Sequence, residues 1–200
     1  MSVVVLVGNP REGSRTLTVA AEAARALIRR FTATETPGSD SAVLGAAEPY
    51  EVVDLAALGP HLLAPGASAG VEVALELVAE ASVLVVASPT YKGTYTGLLK
   101  AFLDRLPPQA LAGKAALPLL VMGDAKHALA VEVHLRPLLV ELGATVPTPG
   151  LAVLESELPR LEEVVTAWAD RVASQAAPAF QRAALKDGAS KDGGRFFTRT

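Results

Sequence analysis

The sequence predicts a three-layer, doubly wound α/β domain built on five parallel strands. Short apolar runs such as Val3–Val7 and Ala115–Met122 alternate five times with longer segments whose apolar residues recur every three or four positions. Parallel strands need crossovers, and right-handed crossovers place helices on both faces of the sheet. Composition agrees: half the residues are hydrophobic but only 4% are aromatic, so the apolar content is mainly Ala, Val and Leu. That mixture suits buried strands under Ala/Leu helices better than a β-sandwich. At 200 residues and 20.6 kDa, with a mean hydropathy of +0.35, the chain has the length of one well-cored domain.

The elements follow in order. Val3–Val7 is a continuous aliphatic strand that breaks at Gly8, Asn9 and Pro10, a strong turn signal. After Ser14 the period changes: Leu17, Ala20, Ala24, Leu27, Ile28 and Phe31 share one face, with Glu22, Arg25 and Arg29 on the other. Residues 33–49, rich in Thr, Gly, Ser and Pro, read as a long surface loop. A strand over 50–55 and a Gly/Pro loop to residue 70 come next, then a helix marked by Val71, Ala74, Leu75 and Val78. Residues 82–87 form the clearest buried strand, and 88–96 a polar loop ahead of a helix over 97–106, stopped by Pro107 and Pro108. The Ala115–Met122 run is the fourth strand. A helix over 126–142 closes at Gly143. Inside that helix Pro137 removes one backbone bond, which predicts a kink or local widening near Val133. A fifth strand is expected over 144–153, and Leu161, Val164, Val165, Trp168 and Val172 mark a last helix. The domain is expected to occupy 1–177, with residues 178–200 as a tail that either frays or docks on a partner subunit.

The absences narrow the chemistry. Without Cys there is no disulfide scaffold, iron–sulfur cluster or thiolate zinc site. Of the three His, His127 and His134 are seven apart on one expected helix but lack a third ligand, so no metal centre is expected. A formal charge of −3 gives no electrostatic case for nucleic acid. No apolar run reaches the length of a membrane span and the start lacks a basic leader, so a soluble, cytoplasmic protein without membrane contact is expected.

Ligands of such sheets bind beyond the carboxyl ends of the strands, where the strand order reverses. Three loops lie there. The first joins Gly8 to Thr16 and opens a helix; helix-start N–H groups, the hydroxyls of Ser14 and Thr16, and the cations Arg11 and Arg15 suit a phosphate monoester. It lacks both the nucleoside-triphosphate loop and the three spaced glycines of the dinucleotide fingerprint. The second, 88–96, offers Pro89, Thr90, Tyr91, Lys92 and Gly93 as a platform for a flat ring, with Tyr95 close by. The third spans Gly123 to His127.

The second loop and the helix after it, through Pro89, Tyr91, Gly97, Leu99, Lys100, Leu103 and Asp104, resemble the P-x-Y and G-x-L-K-x-x-L-D pattern of the NADPH-dependent FMN reductases of the flavodoxin-like superfamily. Gly8, Arg11 and Ser14 match that family's phosphate loop. From Leu111 to Leu139 the chain is similar to the alkanesulfonate-utilisation branch, through Gly113, Lys114, Pro118, Gly123, His127 and Pro137 among others. The likeness covers most of residues 3–142.

The resemblance implies a flavodoxin-like strand order, 2-1-3-4-5, and a homodimer or homotetramer using FMN and NADPH. It implies that Asn9, Arg11, Ser14, Arg15 and Thr16 hold the FMN phosphate. Pro89, Thr90, Tyr91, Lys92 and Gly93 would hold the isoalloxazine, with Gly123 and Asp124 beside it. It implies hydride transfer from NADPH to FMN without a catalytic side chain, and delivery of reduced flavin to a flavin-dependent monooxygenase. Lys100 and Asp104 would then serve a subunit interface. Asn9 stands where the family usually has Ser. Met122 replaces a glycine, which would narrow the space beside the ring, and Asp124 replaces a hydroxyl and reads as a helix cap. Competing readings are an FMN-bound quinone, azo or nitro reductase, and a flavodoxin-like electron carrier, for which the net charge is only mildly acidic.

Overall fold

The computed structural model describes residues 2–32 and 49–192, without the side chains of residues 32 and 183–192. Most of the loop expected over 33–49 and the last eight residues of the expected tail therefore lie outside the described residues.

Five parallel strands form one sheet in the order β2-β1-β3-β4-β5. They are β1 (Val3–Val7), β2 (Glu51–Asp54), β3 (Val83–Pro89), β4 (Ala115–Met122) and β5 (Leu151–Leu154). Val5 pairs with Val85, Val85 with Leu117, and Leu119 with Leu151. Every residue of β1, β3 and β4 is buried, which is why β1, β4 and β3 up to Ala87 read as unbroken apolar runs.

Successive side chains of a strand point to opposite faces, so the core divides in two. On one face Val5, Val7, Val85, Leu119 and Val121 pack under α1 (Arg15–Thr32) and α6 (Leu161–Asp192), where Leu27, Trp168 and Ala169 are buried. On the other, Leu6, Leu84, Val86, Leu120 and Met122 pack under α3 (Ala69–Glu80), α4 (Gly97–Leu103) and α5 (Arg136–Glu141), with Phe102 and Leu139 buried among them. Removing a fully buried ring such as that of Phe102 costs about 3–5 kcal/mol.

Four departures from the sequence reading have identifiable physical causes. The fifth strand is only four residues long, because Pro147 and Pro149 lack ladder donors; of the expected earlier part, Thr145 makes one isolated bridge to Ala115. A one-turn helix, α2 (Gly59–Leu62), forms around Pro60 where a loop is expected. The helix expected over 126–142 is broken into a 3₁₀ turn (Ala125–His127), a π turn (Val131–Leu135) and α5. The π turn is the widening expected from Pro137, and it ends the assumption that His127 and His134 share a helix face. Finally, α6 runs through Pro178 to Asp192. The bond lost at Pro178 is offset by continued packing, since Ala179 and Phe180 are buried and Phe180 stacks on Phe31 at 4.3 Å between centroids.

Candidate active site

The carboxyl ends of β1 and β3 open on one cleft of about 330 Å³, within the range of small-ligand sites. The Gly8 N–H donates to the Ala87 carbonyl at 2.8 Å, carrying the β1–β3 pairing into the first loop. A Cβ on Gly8 would lie 2.5 Å from Cβ of Leu99, so glycine is what lets α4 approach this loop. The Thr96 hydroxyl donates to the Gly8 carbonyl at 2.5 Å and accepts the Leu99 N–H at 3.1 Å, capping α4. The Thr96 N–H donates to Oγ of Ser88, whose hydroxyl donates to the Pro89 carbonyl. This buried chain of bonds fixes the first two loops against each other.

Within the first loop Asn9 is buried and organising. Its Oδ1 accepts the Arg11 N–H and its Nδ2 donates to Oγ1 of Thr16, both at 3.0 Å. Ser14 Oγ accepts the Leu17 N–H at 3.2 Å and so caps α1. A helix start leaves the N–H groups of Arg15 and Thr16 without intrahelical partners, at the positive end of the helix dipole. The Ser14 and Thr16 oxygens each accept a bond, and among the described residues neither hydroxyl donates one, so each proton can turn to a ligand. Arg11 makes no ion pair among the described residues, whereas Arg15 Nη1 is held by Glu155 Oε2 at 2.7 Å.

The second loop reverses at Lys92 and Gly93, with φ of 53° and 84°; Tyr91 and Thr94 exchange backbone bonds on either side. Tyr91 is 44% exposed and lines the cleft together with Pro89. The Thr90 N–H donates to the Val121 carbonyl at 2.8 Å, while its buried hydroxyl has no partner among the described residues. A Cβ on Gly93 would lie 4.0 Å from the His127 ring, so the second and third loops meet. At Gly123 a Cβ would meet nothing within 4 Å, leaving open space there. Asp124 caps the 3₁₀ turn through the Lys126 N–H and pairs with its ammonium, which holds the carboxyl below its ordinary range. Met122 points into the sheet's other core face and is 1% exposed, so it takes no space from the cleft.

Asn9, Arg11, Ser14, Arg15, Thr16, Pro89 and Tyr91 thus line one cleft. Thr90, Lys92 and Gly93 lie in the turn beside it, and Gly123 and Asp124 in the neighbouring third loop, outside its lining. Lys100 and Asp104 pair with each other along α4, which raises the lysine's pKa. Sequence reasoning missed Glu12, Gly13, Val121 and Glu155, which also line the cleft. Among the described residues no group of three His, Asp or Glu could hold a metal ion, and no helix is long and apolar enough to cross a membrane.

A doubly wound sheet whose order reverses beside β1, with a hydroxyl- and arginine-bearing helix start there, defines a protein of flavodoxin-like fold with a candidate ligand cleft at that reversal. Residues 1–157 match the family model described as NADPH-dependent FMN reductase, and the chain belongs to that family. An FMN reductase (NADPH) of Pseudomonas aeruginosa is 34% identical over 134 residues, 65% of this chain and 72% of the relative. One from Pseudomonas putida is 41% identical over 83 residues, but the match spans only 42% of either chain, less than half the relative's length. The crystal structure of an apo NADH:FMN oxidoreductase, EmoB, superposes with a TM-score of 0.65 at 31% identity, covering 84% of this chain and 88% of the other.

Proposed function

We propose that this chain is an NAD(P)H-dependent FMN reductase. The observation that carries the reading is the donor set at the start of α1. Along one cleft, also lined by Glu12 and Glu155, stand two hydroxyls that donate no bond among the described residues, two helix-start N–H groups and Arg11. That set fits a phosphate monoester. The unpartnered buried hydroxyl of Thr90, beside exposed Tyr91, fits the polar edge of a flat ring. The chemistry supplied by bound FMN is two-electron reduction by a hydride from NADPH.

The protein's own part is holding and access. Ser14, Thr16 and Arg11 bind the phosphate, and Asn9 keeps Thr16 and the Arg11 N–H in place. Pro89 and the turn at Lys92 and Gly93 orient the ring, with open space at Gly123. Exposure of Tyr91 leaves one side of the platform reachable by the nicotinamide. Release of reduced flavin to a monooxygenase is the further step this reading carries. Self-association into a homodimer or homotetramer is supported by Leu129, Val133 and Val140, apolar and more than half exposed around the π turn and α5.

Purified protein mixed with FMN and NADPH tests the activity: FMN-dependent NADPH oxidation is expected, and its absence would overturn the reading. Light scattering tests the assembly, with a mass of at least two chains expected and a single-chain mass contradicting it.

A further inference from the structure

The cleft that would take a phosphate is electrostatically balanced. Two arginines line it, Arg11 and Arg15, and so do two carboxylates, Glu12 and Glu155. Charged side chains therefore supply no net attraction for a dianion, which is left to the helix start and the hydroxyls. Glu12 stands on the first loop itself, near enough to Asp54 at the end of β2 to help raise that carboxyl's pKa, after burial, its main cause. Glu155 is different, because it arrives from 140 residues away and takes one of the two arginines directly.

Its position is built. β5 ends at Leu154, and the next 3₁₀ turn, Glu155–Arg160, is anchored by Glu157, whose Oε2 accepts the Leu154 N–H at 2.8 Å. That anchor sets Glu155 at the mouth of the cleft, opposite the first residue of α1. The pair with Arg15 is half-exposed on both sides (63% and 50%), so it is cheap to open. A carboxylate that remains beside a phosphate is costlier than the pair is strong, since the attraction it provided is lost and repulsion takes its place.

We propose that Glu155 sets the affinity for phosphorylated flavin by competing, as an internal anion, for Arg15. The proposal rests on the FMN reading and deepens it. Glu155 weakens the hold on the phosphate, so the flavin exchanges as a substrate rather than staying as a permanent group. The effect is confined to the phosphate: a flavin without one gains nothing from Glu155's removal.

The test measures FMN and riboflavin binding by flavin fluorescence, for the wild-type protein and Glu155→Gln, at low and moderate salt. Glu155 is half exposed and bonds only to Arg15 among the described residues, and glutamine keeps its size. The expected result is FMN binding tighter by about 3- to 10-fold in the variant at low salt, shrinking as salt rises. Riboflavin binding should not change. Unchanged or weaker FMN binding would overturn the proposal, as would parallel gains for both flavins, which would place the effect on the ring. Wild-type protein that binds neither flavin would instead overturn the FMN reading, and this proposal with it.

Discussion

The hydroxyl of Thr96 donates to the carbonyl of Gly8 at 2.5 Å, 88 residues away in sequence, while accepting the N–H of Leu99. One buried oxygen thereby caps α4 and ties the loop after β1 to the loop after β3. Replacing Thr96 with Val keeps the shape and removes both bonds. The expected loss is about 1–2 kcal/mol in urea unfolding, together with weaker FMN binding. FMN affinity that stays at the wild-type value would show the loops are positioned without this bond.

Gly8→Ala tests the close approach from the other side. The added methyl would sit 2.5 Å from Leu99 Cβ and 3.2 Å from its Cα, neither of which can swing away. Destabilisation by about 1–3 kcal/mol is expected, checked by the denaturation midpoint.

Asn9→Ala separates building the loop from touching the ligand. It removes the donor to Thr16 and the acceptor for the Arg11 N–H, both inside the loop. FMN binding should weaken about tenfold. Because those bonds order the loop proposed to hold the phosphate, riboflavin binding should change much less. Equal losses for the two flavins would place Asn9's influence on the ring instead.

The π turn carries a pH dependence. Glu132 pairs with Arg136 and accepts the Gly150 N–H at 2.6 Å; Arg136 donates to the carbonyls of Val146 and Thr148. The Arg136 bond is the main cause holding the Glu132 carboxyl below its ordinary 4.5. A carboxylate whose pKa falls on folding adds stability above its unfolded value and loses it as pH drops through the folded one. Thermal midpoints should therefore fall below about pH 4.5 for the wild type, and less steeply for Glu132→Gln. Parallel profiles would contradict this assignment.

How much of this was legible in the sequence depends on how local the cause is. Val3–Val7 and Ala115–Met122 read in full because strands buried on both faces must be apolar throughout. The widening at Val131–Leu135 was readable from Pro137 alone. The short β5 was overextended because the apolar pattern says nothing about the donors missing at Pro147 and Pro149. The passage of α6 through Pro178 was hidden, since it depends on Phe180 finding Phe31 across the fold. In the site, Ser14 and Thr16 announced themselves as hydroxyls at a helix start. Glu155 did not, since it meets Arg15 only once β5 is placed in the sheet; its position just past a strand end was the one available signal.

A phosphate-bearing flavin, bound at the start of α1 and reduced by a nicotinamide, is the core of the proposed function. Anaerobic stopped-flow mixing of the protein and FMN with NADPH tests it most directly. Rapid bleaching of the flavin absorbance is expected, lost when FMN is omitted and slowed in Arg11→Ala under subsaturating FMN. A flavin band unchanged by NADPH, with NADH giving the same result, would contradict it.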